Sequence, residues 1–184
     1  VGIWTAKKTR GNPWYLMIAL GTITGIFSMV LDNVTTVILV VPMTIIIADI
    51  LKINPLPIIM SEALISNIAG TGTLIGDPPN IMIGSAASLS FNDFLTHSLP
   101  VVLVAWIGTF VIFRIIYRKD LTKKPEHVEQ LMAMNEWEAI KEPQTLLKLL
   151  VVFGLTIALF FLNSVLHIEP ALVALIGASL ALIV

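Results

Sequence analysis

Gly70-Thr71-Gly72-Thr73-Leu74-Ile75-Gly76-Asp77-Pro78-Pro79-Asn80 stands near the middle of Leu56–Leu89, an otherwise apolar segment long enough to cross a bilayer. Three glycines, two prolines and an aspartate in that stretch are incompatible with one continuous helix, because proline lacks the amide donor and glycine gives up the most backbone entropy. Hydrocarbon offers no water to satisfy unpaired backbone groups. An irregular segment at membrane depth must therefore be buried in protein or line a watery cavity. The spacing predicts two half-helices, about Leu56–Ala69 and Pro78–Ser88, joined by an unwound segment.

The surrounding sequence reads the same way. Its 184 residues are 57% hydrophobic and 12% charged, with mean hydropathy +0.93, whereas a soluble domain carries about 25% charged residues. Too little polar surface remains to cover a water-soluble globule. Of 11 Lys and Arg, only Lys52 falls between Asn12 and Phe113, which argues against a nucleic-acid partner, since phosphate neutralisation needs clustered basic groups. Cysteine is absent, so there is neither a disulfide framework nor a thiolate metal site. Uncharged runs fill Pro13–Leu31, Asn33–Ala48, Phe94–Phe113 and Leu149–Ile168, with a further one over Pro170–Val184. None alternates like a strand, and the expectation is an all-α, polytopic membrane protein. The chain opens on Val1-Gly2, ends within an apolar run and has no identifiable signal peptide, so it reads as a portion of a longer protein.

Charge sets the expected orientation. Lys7, Lys8 and Arg10 precede the first run, and Arg114, Arg118, Lys119, Lys123 and Lys124 follow the third. The positive-inside rule makes residues 1–12 and 118–148 cytoplasmic in a multi-pass protein of the cell membrane. Within that loop, Glu126–Lys141 puts Val128, Leu131, Met132, Trp137 and Ile140 on one side of a helix, either lying on the membrane surface or solvated. The outer connection is expected at Ser90–Asp93. The runs Pro13–Leu31 and Asn33–Ala48 must then contribute an even number of crossings. They form either two spans turning outside at Asp32-Asn33 or one re-entrant hairpin with its tip in the membrane, and length alone favours two spans.

Two polar clusters interrupt the apolar sequence: Ser28 with Asp32-Asn33-Val34-Thr35-Thr36, and Ser66-Asn67 with the Gly70–Asn80 stretch. Their hard oxygen donors, with carbonyls freed at helix ends, suit Na⁺, and neither cluster has the His or Cys of a zinc site. Asp77-Pro78 reads as an N-cap followed by proline at the first helical position, and Asp32 as the cap of a helix starting at Asn33. Capping leaves room for function, because a half-helix N-terminus in mid-membrane attracts anions and intramembrane carboxylates are suspects by default. Asn33-Val34-Thr35 also fits the glycosylation pattern, which is common by chance. Glu62 reads as an interfacial carboxylate, with a proton relay as the alternative. Asp49 and Lys52 read as interface markers; His97, His127 and His167 are isolated and carry no assignment. Gly21 and Gly25 form a small-xxx-small pair for helix packing. An anion here would meet no ammonium or guanidinium within Ile53–Phe113. It would be repelled by Asp32 and Asp77 until Na⁺ or H⁺ neutralised them, which suggests cation or proton first and substrate second.

Leu31-Asp32-Asn33-Val34-Thr35-Thr36, followed by Ser66-Asn67-Ile68-Ala69 and the Gly70–Asn80 stretch, resembles the ion-transporter superfamily. Within it, the likeness is to the citrate-transporter-like domain shared by dicarboxylate-type permeases, the arsenite-pump/sodium–proton-antiporter grouping and the P-protein branch. The resemblance implies inverted repeats, each with a re-entrant hairpin facing a broken helix, and so replaces the two spans by a hairpin. It implies a first repeat over 1–117 (hairpin 13–48, broken helix 55–89, span 94–117), a cytoplasmic loop over 118–148, and the start of a second repeat over 149–184. It further implies that Asp32, Asn33, Thr35 and Thr36 form the hairpin tip, facing Asn67, Gly70, Thr71, Gly72, Thr73, Asp77 and Asn80. Na⁺ would sit at Asn33, Thr35, Gly70 and Thr71, in a homodimer embedded in membrane lipid that moves its site by a rigid-body shift.

Dicarboxylate transporters carry a Ser-Asn-Thr tip and a small residue where this chain has Asp77, which speaks against dicarboxylate specificity. The expectation is a secondary active transporter of a small inorganic ion or organic anion, coupled to Na⁺ or H⁺. It would need no cofactor, and no ATP-binding loop is present. A passive anion channel is the alternative. An intramembrane aspartyl protease built on Asp32 and Asp77 would need Gly-x-Gly-Asp and Tyr-Asp, where this chain has Leu74-Ile75-Gly76-Asp77 and Leu31-Asp32.

Overall fold

The computed structural model describes residues 1–135, 143–166 and 170–183, and among the described residues all regular structure is helical. In chain order the helices are α1 (Gly2–Lys8), α2 (Pro13–Ser28), α3 (Asn33–Leu51), α4 (Leu56–Gly70), α5 (Pro78–Ala86), α6 (Phe91–Ile116), α7 (Arg118–Leu121), α8 (Val128–Ala133), α9 (Pro143–Leu166) and α10 (Pro170–Ile183). The break expected between the half-helices is the irregular stretch between α4 and α5. Three helical stretches, Asn33–Leu51, Phe91–Ile116 and Pro143–Leu162, are long and apolar enough to cross a bilayer. On α6, Val104, Ile107 and Ile115 are 73%, 64% and 71% exposed, a waste in water but suited to lipid.

Local chemistry fixes the hairpin arms. Asn12 caps α2, its Oδ1 accepting from the amides of Trp14 and Tyr15 at 3.1 and 3.3 Å, with Pro13 at the first helical position. Asp32 caps α3, accepting from the Thr35 amide at 3.0 Å and from the Thr35 hydroxyl, as the sequence predicts. Lys52 closes α3 in the left-handed conformation at φ 50°.

Three apolar clusters set the depth of each element. The first joins Ala6 of α1, Leu16, Met17 and Leu20 of α2, Ile47, Ala48 and Leu51 of α3, Ile58 of α4, Phe113 of α6, and Leu121 and Leu131. The start of α2, the end of α3, the start of α4 and the end of α6 thus meet at one end of the molecule. Basic groups gather at this end: Lys8 over the Trp4 ring, Arg114 over Trp14, and Lys123, whose Nζ donates to the Lys52 carbonyl at 3.2 Å. The second cluster packs Ile65 and Ala69 of α4 on Val102 and Trp106 of α6, with Met29 from the turn between α2 and α3. Helix α6 has 26 residues, about 39 Å at a rise of about 1.5 Å. Val102 lies about 16 Å from its start and about 21 Å from its end. The turn after α2 therefore sits at a mid-length level of α6, not at its end. The third cluster, Leu74, Phe91, Phe160 and Val173, ties the break and α6 to α9 and α10.

Three boundaries differ from expectation. Ser90 and Asp93 form a capping box, the Ser90 hydroxyl accepting from the Asp93 amide at 3.2 Å and Asp93 accepting from the Ser90 amide at 2.9 Å. The connection expected at Ser90–Asp93 is thus the first turn of α6. Helix α9 starts at Pro143 and carries Lys148 within it, so the expected 118–148 loop is shorter. An uncharged run marks the apolar part of a helix and misses polar turns flanking it. Among the described residues, the amphipathic stretch is helical over α8. Its Leu131 is wholly buried against α1 and α3, and the Glu126 amide donates to the Leu51 carbonyl at 2.9 Å. Val128 and Leu131 thus pack on the basic end of the fold, while Met132 of the same expected side is 49% exposed; Trp137 and Ile140 are outside the described residues.

The small-residue pair packs as expected. A Cβ on Gly21 would stand 3.1 Å from the Phe110 ring, and one on Gly25 would stand 2.3 Å from the Trp106 ring and 2.8 Å from Ile65. Gly25→Ala is expected to destabilise the full-length protein by about 1–3 kcal/mol through overpacking, read as a lowered thermal midpoint in detergent. Adding Trp106→Leu should restore part of the loss, and no recovery would mean that the ring is not what Gly25 accommodates.

Candidate ion and substrate site

Asn33, the first residue of α3, is the hub where the hairpin turn meets the broken helix. Its Nδ2 donates to Asn67 Oδ1 of α4 and to Asp77 Oδ2 before α5, both at 3.2 Å. Its Oδ1 accepts from the Ser28 hydroxyl at 2.7 Å, and that hydroxyl is shared with the Ser66 carbonyl at 2.8 Å. One side chain thus bonds α2, α4 and the break together. Glycine makes the approach possible: a Cβ on Gly70 would lie 2.3 Å from Asn33 Oδ1, and one on Gly76 would lie 2.5 and 2.8 Å from the Gly70 and Ser28 carbonyl oxygens.

The break holds its shape through its own side chains. The Thr73 hydroxyl donates to the Met29 carbonyl in the hairpin turn and accepts from the Gly76 amide at 3.0 Å. Asn80 Nδ2 donates to the carbonyls of Gly70 and Thr73 at 2.9 and 2.8 Å. These bonds satisfy backbone groups that the missing helix leaves open, as an apolar surrounding requires.

Of the residues singled out in the sequence, Asn33, Asn67, Gly70 and Asp77 come together directly. Gly72 and Thr73 are buried beside them in the break, and Asn80 clamps it through its amide nitrogen. Asp32 and Thr35 bond to one another, and the Thr35 side chain is exposed. Thr71 is also exposed, its hydroxyl donating back to the Ile68 carbonyl at 2.8 Å. The four residues expected to share Na⁺ therefore divide: Asn33 adjoins Gly70, while the side chains of Thr35 and Thr71 are engaged elsewhere. Thr36 is buried with its Oγ1 unpartnered. It lines a cleft of about 1000 Å³ among α2, α3, α9 and α10, walled by apolar side chains such as Phe27, Leu39, Met43 and Phe153.

Asp77 corrects the capping expectation. It holds the N-cap position of α5, yet its side chain makes no cap bond. A capping side chain accepts from the second or third helical amide. Here the second is Pro79, without a hydrogen, and the third, Asn80, donates to the Asp77 backbone carbonyl at 3.0 Å. The carboxylate is left for Asn33. Glu62 differs as well. In place of an interfacial position it is wholly buried, Oε1 accepting from the Thr44 hydroxyl at 2.6 Å. Its place on one helical face with Ile58, Ile65, Ser66 and Ala69 was the available signal. Ser28 and Gly76 belong to the hub without having been among the expected site residues. Ser28 stands in the first polar cluster, and Gly76 is the third glycine of the break.

An oxygen-rich break in one helix, held against the turn of a helical hairpin inside an apolar chain, is an arrangement that membrane transporters use. The chain belongs to the citrate transporter family, which matches it over residues 1–182. It is 40% identical over 184 residues to a 46 kDa membrane protein of Mycobacterium leprae, covering all of this chain and 43% of the relative. To an uncharacterized transporter of Mycobacterium tuberculosis it is 41% identical over 182 residues, 99% of this chain and 42% of the relative. To the P protein of Homo sapiens it is 33% identical over 132 residues, 68% of this chain and 16% of that protein. The chain spans less than half the length of these relatives. No solved structure matches it. The family is one of transporters rather than enzymes, and the Mycobacterium tuberculosis relative carries the same description.

Proposed function

We propose that this chain supplies one half-site of a secondary active transporter that moves a small inorganic ion or organic anion in a step coupled to Na⁺ or H⁺. The observation that carries the reading is the Asn33 hub, which joins the hairpin turn to Asn67 and Asp77 of the broken helix. On this reading α2 and α3 form a re-entrant hairpin entering from the cytoplasmic side, the side of the basic end. Supporting it are the turn's level near Val102 and the meeting of both arm ends with α1, α4 and α6 in one apolar cluster. Asp32 and Thr35 hold the turn in shape. The ion is coordinated by amide, hydroxyl and carbonyl oxygens around Asn33, Asn67, Gly70 and Asp77, since among the described residues no three acidic or His side chains converge. The homodimer and rigid-body movement implied by the family likeness belong to the same proposal.

The test is uptake by the full-length protein in liposomes of citrate and other carboxylates, arsenite and chloride, under imposed Na⁺ and pH gradients. Uptake of one of these should be driven uphill by a Na⁺ or pH gradient. Flux that follows only the substrate's own gradient would make the protein a channel and overturn the coupling.

A further inference from the structure

Glu62 lies on α4 one helical turn before Ser66, on the same buried face. Ser66 offers the carbonyl that receives the Ser28 hydroxyl, and Ser28 in turn reaches Asn33. The carboxyl is thus the next polar group along α4 from the hub toward the basic end. It is 0% exposed, one oxygen accepts from Thr44 of α3 at 2.6 Å, and the other, Oε2, is buried without any partner.

Among the described residues, nothing on the helices packed against it balances a charge on it. Helix α2 packs on α4 with no charged residue, and its Tyr15 is 59% exposed. On α3 the only charged group is Asp49, near the far end and ion-paired with Lys52 at 2.8 Å. On α6 the groups are Asp93 and His97 at the outer start and Arg114, which lies over the Trp14 ring. A carboxylate enclosed by apolar helices without a cation is far costlier than the acid, and an aliphatic side chain would fill the same space without an orphaned oxygen. A carboxyl kept in such a place marks a group whose charge changes.

We propose that Glu62 is a proton-binding site beside the hub, which takes up one proton when α3 closes on α4 and releases it to water when they part. The step is Glu62–COO⁻ plus H⁺ giving Glu62–COOH and its reverse, with water as donor and acceptor. Glu62 is enclosed, so proton exchange requires movement of the hairpin. The charged form disfavours the closed packing. Proton loading and hairpin position are therefore two sides of one equilibrium. The inference deepens the transporter reading and rests on it for its purpose, though not for its observation.

The test uses the full-length protein in liposomes, wild type and Glu62→Gln, with two readouts that need no substrate. Infrared difference spectra between acidic and alkaline buffer should show the C=O stretch of a protonated carboxyl that disappears in Glu62→Gln. Dicyclohexylcarbodiimide, which attacks protonated carboxyls in apolar surroundings, should label the peptide holding Glu62 faster at acidic pH. Thr44→Val, which keeps the carboxyl, should move the pH at which labelling sets in. A band that does not titrate, one unchanged in Glu62→Gln, or labelling indifferent to pH would each overturn the proposal. If the band titrates but no gradient drives uptake of citrate, arsenite or chloride, the transporter reading falls and the proton site stands. If no band titrates while a pH gradient still drives uptake, the proton site falls and the transporter stands.

Discussion

Gly76→Ala is expected to abolish gradient-driven uptake, the largest loss foreseen for any single methyl group in this chain. The added carbon would lie 2.5 Å from the Gly70 carbonyl oxygen, 2.8 Å from the Ser28 carbonyl oxygen and 3.0 Å from Gly70 Cα. All three are backbone atoms, so no rotamer change relieves the clash. Either the hairpin turn retreats from the break or the break unwinds, and both routes part Thr73 from Met29 and Asn33 from Asp77. Overpacking alone costs about 1–3 kcal/mol, and each lost hydrogen bond adds about 1 kcal/mol. Gly70→Ala should be milder, because its clash is with Asn33 Oδ1, the end of a side chain that can turn at the cost of its bonds. Gly108→Ala is the control, since a Cβ there meets nothing within 4 Å. Uptake and thermal unfolding measured on the three full-length variants decide it. Gly76→Ala matching Gly108→Ala would show that the turn and the break are not held in contact.

What the sequence made legible follows how local the physics is. The break between α4 and α5 could be read directly, because three glycines and two prolines are incompatible with a helix whatever surrounds them. The cap at Asp32 was legible for the same reason: its amide partner is three residues away. Asp77 looked like an equally good cap and is not one. The prolines that announce the start of α5 also remove the hydrogen a capping side chain would use, a consequence present in the sequence but masked by the frequency of the Asp-Pro pattern. Ser90–Asp93 and Pro143–Lys148 read as connections when polarity alone marks helix ends. A capping box and an N-terminal proline are themselves polar or helix-starting chemistry inside the first turn. Glu62 was legible only in part: its spacing puts it on one face with Ile58 and Ile65, but does not say what covers that face. Whether a carboxylate one or two turns into a helix snorkels to the interface or is swallowed depends on which helix packs over it. Only the third dimension brings Thr44, eighteen positions away, across its face. The choice between two spans and a hairpin has the same character, since the two arms have nearly the right length for either.

Exchanging the hub amide for a carboxylate separates a bridging role from an electrostatic one. In Asn33→Asp the donor to Asp77 and Asn67, each 3.2 Å away, becomes an acceptor, and two carboxylates face each other at about that separation. Like charges so close oppose ionising together; the pair favours sharing a proton or holding a cation. At neutral pH without Na⁺ the turn and the break should therefore repel, and uptake should fall to background. Acid should restore it by placing one proton between the carboxylates, and raised Na⁺ should do so by placing a cation there. The rate of this variant is thus expected to fall as pH rises and to climb with Na⁺. Asn33→Ala removes the same donor without adding charge. A hydrogen bond to a charged group contributes about 1.5–3 kcal/mol, which corresponds to a loss of about 10-fold to 100-fold, and here neither acid nor Na⁺ should rescue it. Glu62 titrates in both variants and so cannot produce a difference between them. If Asn33→Asp and Asn33→Ala respond alike to pH and Na⁺, the charge on Asp77 is not sensed at the hub and the coupling ion binds elsewhere. If only the Asp variant is rescued, the oxygens facing Asn33 and Asp77 are the place where a cation or proton joins the hairpin to the broken helix.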